Sequence, residues 1–248
     1  MLILEGLILG TFIGSVLGMV GAGGAILAVP GLIAVMGLST TAATTSSMVI
    51  VGAAALSGAL RRLKTKNLDI RVGITFSLLG IFGTLLGSRL VEYFSDRALI
   101  FIFAFLMFAA AFGMWRHQVS EREISRASWP LVVLTASAVG VLTGLLGIGG
   151  GFLIVPALVL VLGIKLKLAV GTSLVAITMN SIIALSLRYQ YWHLVPWKSI
   201  LVFTAMAVIA SFITTPLATH LPAKTLQRSF SVLVVVVAIF MIITQGFK

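Results

Sequence analysis

Two glycine-rich segments interrupt otherwise apolar runs in this 248-residue chain. The first is Gly18-Met19-Val20-Gly21-Ala22-Gly23-Gly24, followed by Pro30. The second is Gly144-Leu145-Leu146-Gly147-Ile148-Gly149-Gly150-Gly151, followed by Pro156. A helix that breaks and restarts leaves free N–H groups and the positive end of its dipole at the new N-terminus. Such an end receives an anion without a buried cation. Helices restarting at Ala25 and Phe152 are expected to aim at one point, with Gly21, Gly23, Gly24, Gly147, Gly149, Gly150 and Gly151 allowing a solute close to the backbone. Helix packing competes as an explanation. Gly10, Gly14 and Gly18 form a small-xxx-small stripe, which is a packing face. The Gly-Gly pairs, each with a proline six residues on, are more than packing needs and mark a solute site.

Hydroxyls form the second group. Thr40-Thr41-Ala42-Ala43-Thr44-Thr45-Ser46-Ser47 aligns with Ala169-Val170-Gly171-Thr172-Ser173. Inside a span, such hydroxyls bond a carbonyl one turn back, a neighbouring helix or a solute. Thr45, Ser46, Thr172 and Ser173 are therefore candidates, as is Asn180, the one amide in a long apolar stretch. Arg62 and Arg188 stand 126 positions apart at span ends, and Arg89 lies slightly deeper. Each either gathers anions at a cavity mouth or snorkels to the headgroups. No carboxylate lies deep in a span: Glu5, Asp69, Glu92 and Asp96 are near ends or in breaks. Cation transport and carboxylate-relayed proton coupling both want such groups. Cysteine is absent, and His117, His193 and His220 are too scattered for a metal site, so no metal or cofactor is expected. No nucleophile–base constellation suggests an enzyme.

These residues sit in a chain that is 60% hydrophobic and only 9% charged, against about 25% charged in soluble domains. Long apolar stretches cover roughly 2–37, 40–60, 72–91, 98–115, 130–163, 168–187, 199–219 and 229–245. The fold class is therefore an all-α polytopic integral membrane protein of 8–10 membrane helices. Trp115, Trp129, Tyr191, Trp192 and Trp197 flank the breaks as an interfacial belt. Met1 to Val20 lacks a basic n-region and is expected to belong to the fold, not to a cleaved signal. The net charge of +11 comes from clusters between apolar runs and makes no basic face, which argues against nucleic-acid binding.

The glycine segments are copies. At an offset of 126, eight of the 17 positions from 14 to 30 are identical: Gly14, Gly18, Gly21, Gly23, Gly24, Leu27, Val29 and Pro30 meet their counterparts from Gly140 to Pro156. Ala43, Ser47, Val49, Arg62 and Leu68 extend the register to Ala169, Ser173, Val175, Arg188 and Leu194. Two homologous repeats follow, each of about four transmembrane helices plus a Gly-rich broken or re-entrant segment. Their expected bounds are 1–116 and 130–248, joined by a cytoplasmic linker at 117–129. If each glycine segment dips and returns, the halves are parallel and 11 of the 17 Lys and Arg share one side. If each crosses, the halves are inverted and segments 61–71, 116–126, 165–167 and 224–228 gather 12 of the 17. The positive-inside rule does not separate the two, but both put 61–71 and 116–126 in the cytoplasm.

The two glycine motifs with Pro30 and Pro156, together with Ala169-Val170-Gly171-Thr172-Ser173, resemble the sulfite exporter TauE/SafE family over essentially the whole chain. The resemblance implies a multi-pass transporter of the bacterial inner membrane whose partners are the lipid bilayer and a small anion: sulfite, a sulfonate or a related organosulfur species. The first half departs from the pattern, with Ala25 where the second has Gly151 and Thr45-Ser46-Ser47 where the second has Gly171-Thr172-Ser173. Export is the expected direction, because an inside-negative potential drives anions outward. An importer of a related organic anion and a non-transporting membrane scaffold or assembly subunit are the alternatives. The sequence leaves open whether the chain forms a homo-oligomer.

Overall fold

A computed structural model describes residues 2–21, 23–65, 67–90, 93–94, 96–116, 129–146 and 151–245. Among them helix is the only regular secondary structure, with no strand. The helices are α1 Leu2–Val20, α2 Gly23–Met36, α3 Thr40–Leu63, α4 Ile70–Leu90, α5 Asp96–Arg116, α6 Trp129–Leu146, α7 Gly151–Pro156, α8 Leu166–Leu187, α9 Trp197–His220 and α10 Ala223–Gln245. Beyond Pro156 the backbone widens into a π turn, Ala157–Val161, and Tyr189–Leu194 forms a 3-10 turn. A proline lacks the N–H that would close the turn behind it, which loosens that part of the ladder.

The apolar stretch at 2–37 is two elements, α1 and α2; the stretch at 130–163 holds α6 up to Leu146 and α7 with the π turn from Gly151, and 147–150 lie outside the described residues. α3 runs further than its apolar stretch, to Leu63, and carries Arg61 and Arg62 in its last turn. Its start is set by Ser39, whose side chain accepts from the Ala42 N–H at 3.3 Å, an N-cap that offsets one orphan donor. The expected linker at 117–129 lies outside the described residues except for Trp129, which opens α6.

Among the described residues five helices are long and apolar enough to cross a membrane: Thr40–Leu63, Ile70–Leu90, Leu166–Leu187, and the Trp197–Ala218 and Ala223–Phe240 parts of α9 and α10. Shorter apolar helices fill in between them. Large apolar side chains cover the exterior: Phe82 is 75% exposed, Phe105 71% and Leu134 68%. Water would make such a surface aggregate; hydrocarbon matches it. The chain is a multi-pass membrane protein.

Inside, glycines let helices touch backbone to backbone. α1 runs parallel to α9, with Gly10 against Phe203, Gly14 against Ala207, and Gly18 against Ser211 and Thr214. α6 runs parallel to α4, with Gly140 on Gly80 and Gly144 on Thr84. The Gly10, Gly14 and Gly18 stripe is thus a packing face. α3 and α8 are antiparallel, with Gly52 opposite Ser181 and Gly58 opposite Leu174. α5 and α10 are joined near one end, where the buried Gln227 amide donates to the Met114 carbonyl. Ser57 donates to the Val208 carbonyl at 3.1 Å and Ser211 to the Ala54 carbonyl at 2.8 Å, tying α3 to α9.

A methyl group at Gly140 would meet the Gly80 carbonyl, whereas one at Gly80 would find the Ala136 carbonyl at 3.7 Å, an ordinary contact. Gly140→Ala should therefore cost about 1–3 kcal/mol and Gly80→Ala almost nothing. Unfolding of the detergent-purified protein in SDS measures both; equal stability of the two variants would contradict the tight α4–α6 crossing.

Candidate functional site

The break between α1 and α2 turns at Gly21, whose φ is +83° while its N–H still donates to the Leu17 carbonyl at 2.8 Å. A side chain there carries roughly 1–2 kcal/mol of backbone strain. It would also collide, since a Cβ would lie 2.8 Å from Ser173 Oγ and 3.1 Å from the Val170 carbonyl oxygen. The elbow of the first half is thus seated on α8 of the second. Gly23 opens α2. Gly24 faces Ile13 and Leu17, so its lack of a side chain is accounted for by α2 folding back along α1. Gly151 opens α7 and lies against Ile177, half-way along α8, and against Ala25, whose Cβ is 3.3 Å from where a Gly151 Cβ would be. The first turns of α2 and α7 therefore touch in the middle of the bundle. Gly147, Gly149 and Gly150 lie outside the described residues.

The hydroxyls divide into two groups. Thr172 and Ser173 are fully buried on α8. Thr172 Oγ1 accepts from the Asp69 N–H at 3.0 Å, and Ser173 Oγ donates to the Val170 carbonyl at 2.8 Å. Thr45 and Ser46 are fully buried on α3. Thr45 donates to the Thr41 carbonyl at 2.8 Å, but Ser46 Oγ has no hydrogen-bond partner in the protein. A buried hydroxyl without a partner costs about 1–3 kcal/mol. The two segments aligned in sequence are not neighbours. α3 and α8 run antiparallel, so their hydroxyl-bearing first halves lie toward opposite ends of the bundle. Asn180 is half-buried on α8, one turn beyond Ile177.

The three arginines differ. Arg89 is exposed on α4. Arg188 is half-buried beyond the end of α8, its guanidinium 5.4 Å over the Tyr191 ring and its Nε buried without a partner. Arg62 is only 1% exposed, and its Nη1 donates to the Lys167 carbonyl at 3.2 Å. That excludes headgroup snorkelling for Arg62. The outward role falls to Arg61, whose guanidinium lies 4.9 Å over the Phe212 ring.

The chain after Arg62 wraps the start of α8. The Asn67 N–H returns to the Arg62 carbonyl, the Asn67 carbonyl rests on Gly171, and Asp69 bonds Thr172 through its N–H. The Asp69 carboxylate caps α4 by accepting from the Val72 N–H at 3.0 Å. Gly171 and the 67–69 loop were not singled out by sequence; the one signal was Gly171 inside the aligned Ala-Val-Gly-Thr-Ser segment. Among the described residues no group of three or more His, Asp or Glu is placed to hold a metal.

The profile of the Sulfite exporter TauE/SafE family matches residues 6–241. A "Probable membrane transporter protein" of Xylella fastidiosa is 32% identical over 241 residues, covering 94% of this chain and 92% of that protein. "Probable membrane transporter protein YunE" of Bacillus subtilis is 28% identical over 204 residues, 70% of this chain and 73% of its own. "Probable membrane transporter protein MJ0441" of Methanocaldococcus jannaschii is 32% identical over 118 residues, 45% of this chain and 44% of its own. No solved structure matches the chain significantly. An apolar, multi-pass helical chain matched across nearly its full length in this way belongs to the sulfite exporter TauE/SafE family of membrane transporters.

Proposed function

We propose that this protein carries a small sulfur-containing anion, sulfite or an organosulfonate, across a bacterial inner membrane, with net flow outward, and that it is not an enzyme. The observation that carries this reading is the contact of the first turns of α2 and α7 inside a lipid-facing bundle, where Gly151 lies against Ala25. Broken backbone at membrane depth is tolerated where it is buried in protein or lines a water-filled path, and in transporters it marks the solute site. The glycine segments would offer backbone donors there. Thr45 and Ser46 on one side, and Thr172, Ser173 and Asn180 on the other, would offer side-chain groups.

The same reading takes residues 1–116 and 130–248 as inverted repeats joined at 117–129. Its support is the direction of the helices. Among the described residues each half contributes five, α1 parallels α9, α6 parallels α4, and α3 opposes α8. Positive-φ glycines end α2 and the π turn at Gly37 and Gly163, again 126 positions apart. Segments 61–71, 116–126, 165–167 and 224–228 then share the cytoplasmic face, with 12 of the 17 Lys and Arg, as the positive-inside rule favours.

The chain has no cysteine, so single cysteines report sidedness. Thr65→Cys and Pro222→Cys should react with an impermeant maleimide only from the cytoplasmic side, and Ser39→Cys and His193→Cys only from the other. Labelling of His193→Cys and Thr65→Cys from one side would contradict the inverted arrangement. For transport, a potential of 100 mV is worth about 2.3 kcal/mol per charge, or roughly 50-fold in a monoanion's gradient. Reconstituted liposomes loaded with sulfite or methanesulfonate should release it in step with an imposed inside-negative potential. Efflux that requires a proton or sodium gradient would exclude uniport, and no efflux of any sulfur anion would overturn the assignment.

A further inference from the structure

We propose that the buried guanidinium of Arg62 is an oxyanion-binding site at the junction of α3 and α8, gripping a small sulfonate-, sulfite- or sulfate-like anion through Nε and Nη2. Arg62 is 1% exposed in the last turn of α3. Nη1 is engaged, donating to the Lys167 carbonyl at 3.2 Å, while Nε and Nη2 are buried and have no hydrogen-bond partner in the protein. Those two nitrogens form one edge of the planar group, the edge that presents two parallel N–H bonds to an oxyanion. The single neutral contact through Nη1 leaves that fork unused.

A guanidinium stays protonated, and a buried charge is stable only when paired and fully hydrogen-bonded. A bound anion would supply both the charge and the two missing acceptors. The setting is positive in other ways. The start of α8, where Arg62 docks, brings the positive end of a 22-residue helix, and its N-cap Lys165 makes no side-chain cap. Thr65 and Asn67 fold back onto the Arg62 carbonyl, so the loop encloses the arginine's own backbone. A burial this complete suits an anion of a few atoms, not a phospholipid headgroup with its chains attached. Arg188 holds the matching position 126 residues on, and its Nε is also buried and partnerless.

The assignment rests on the transport reading and deepens it by naming a residue for the anion. The test is the thermal stability of the detergent-purified full chain, titrated with sulfite, methanesulfonate and chloride, for wild type, R62K and R62Q. Binding to the folded state raises the melting temperature with the logarithm of ligand concentration over affinity. Wild type should be stabilised by the sulfur oxyanions and less by chloride. R62K keeps the charge but loses the fork, and should need at least tenfold more anion for the same shift. R62Q should lose the response while melting no lower than wild type without anion, because it removes an unpaired buried charge. R62K and R62Q variants with wild-type anion dependence would overturn the Arg62 site and leave the transport reading standing. So would an R62Q protein that is less stable without anion yet has unchanged anion dependence, which marks a merely structural arginine. No response of wild type to any sulfur anion would overturn both. Stabilisation by added phosphatidylglycerol but not by sulfite or methanesulfonate would assign the fork to a headgroup and overturn the small-anion site.

Discussion

Backbone N–H and C=O groups have no water to bond in hydrocarbon, so a chain that breaks a helix there must bury the break in protein. That constraint organises this molecule. The elbow at Gly21 is closed by Val170 and Ser173 of α8, and α2 folds back so tightly that Gly24 touches Ile13 and Leu17 of α1. α7 begins against α2 and Ile177. The long buried helix α3 packs on α1 and α2, and α8 packs on α7. The lipid-facing side chains, such as Phe82 and Phe105, need only be apolar.

The same solvent explains how the helices hold one another. Lipid tails are as apolar as leucine, so there is no hydrophobic gain in joining two spans; close van der Waals contact and interhelical hydrogen bonds take that role. Hence α1 meets α9, and α6 meets α4, through glycines at backbone distance. Most hydroxyls close on a carbonyl one turn back, as Thr44, Thr45, Thr143 and Thr178 do. A few, such as Ser57, Ser77 and Ser211, bond a neighbouring helix instead. Against that background of satisfied groups, Ser46 Oγ, the Arg62 fork and Arg188 Nε stand apart as buried polar atoms with nothing to bond. They are the places in the described structure where a polar solute would relieve a cost and not add one.

Sequence carried the membrane class, the interruption at the first glycine motif and the packing role of Gly10, Gly14 and Gly18. Each is written in composition or in spacing. Helix direction was not legible, because hydropathy is the same read either way along a span. Contacts such as Gly10 with Phe203 and Gly18 with Ser211 supply it. The separation of Thr45 and Ser46 from Thr172 and Ser173 follows from the same antiparallel pairing and was equally hidden: alignment shows equivalence, not proximity. For Arg62 the sequence left anion gathering and headgroup snorkelling both open. A span-end arginine usually snorkels, and only the neighbouring Lys167 carbonyl, more than a hundred residues away, holds this one inside.

In the proposed reading the first turns of α2 and α7 meet on the solute's path, so a covalent bond between them would close it. With native cysteine absent, the pair Ala25→Cys and Gly151→Cys tests it directly, since their Cβ atoms would lie 3.3 Å apart, close to the roughly 3.5–4.5 Å of a disulfide. In reconstituted vesicles, mild oxidation should form the bond within one chain and stop anion efflux, and reduction should restore it. Failure to form the bond, or a cross-linked protein that releases anion at the full rate, would contradict the account.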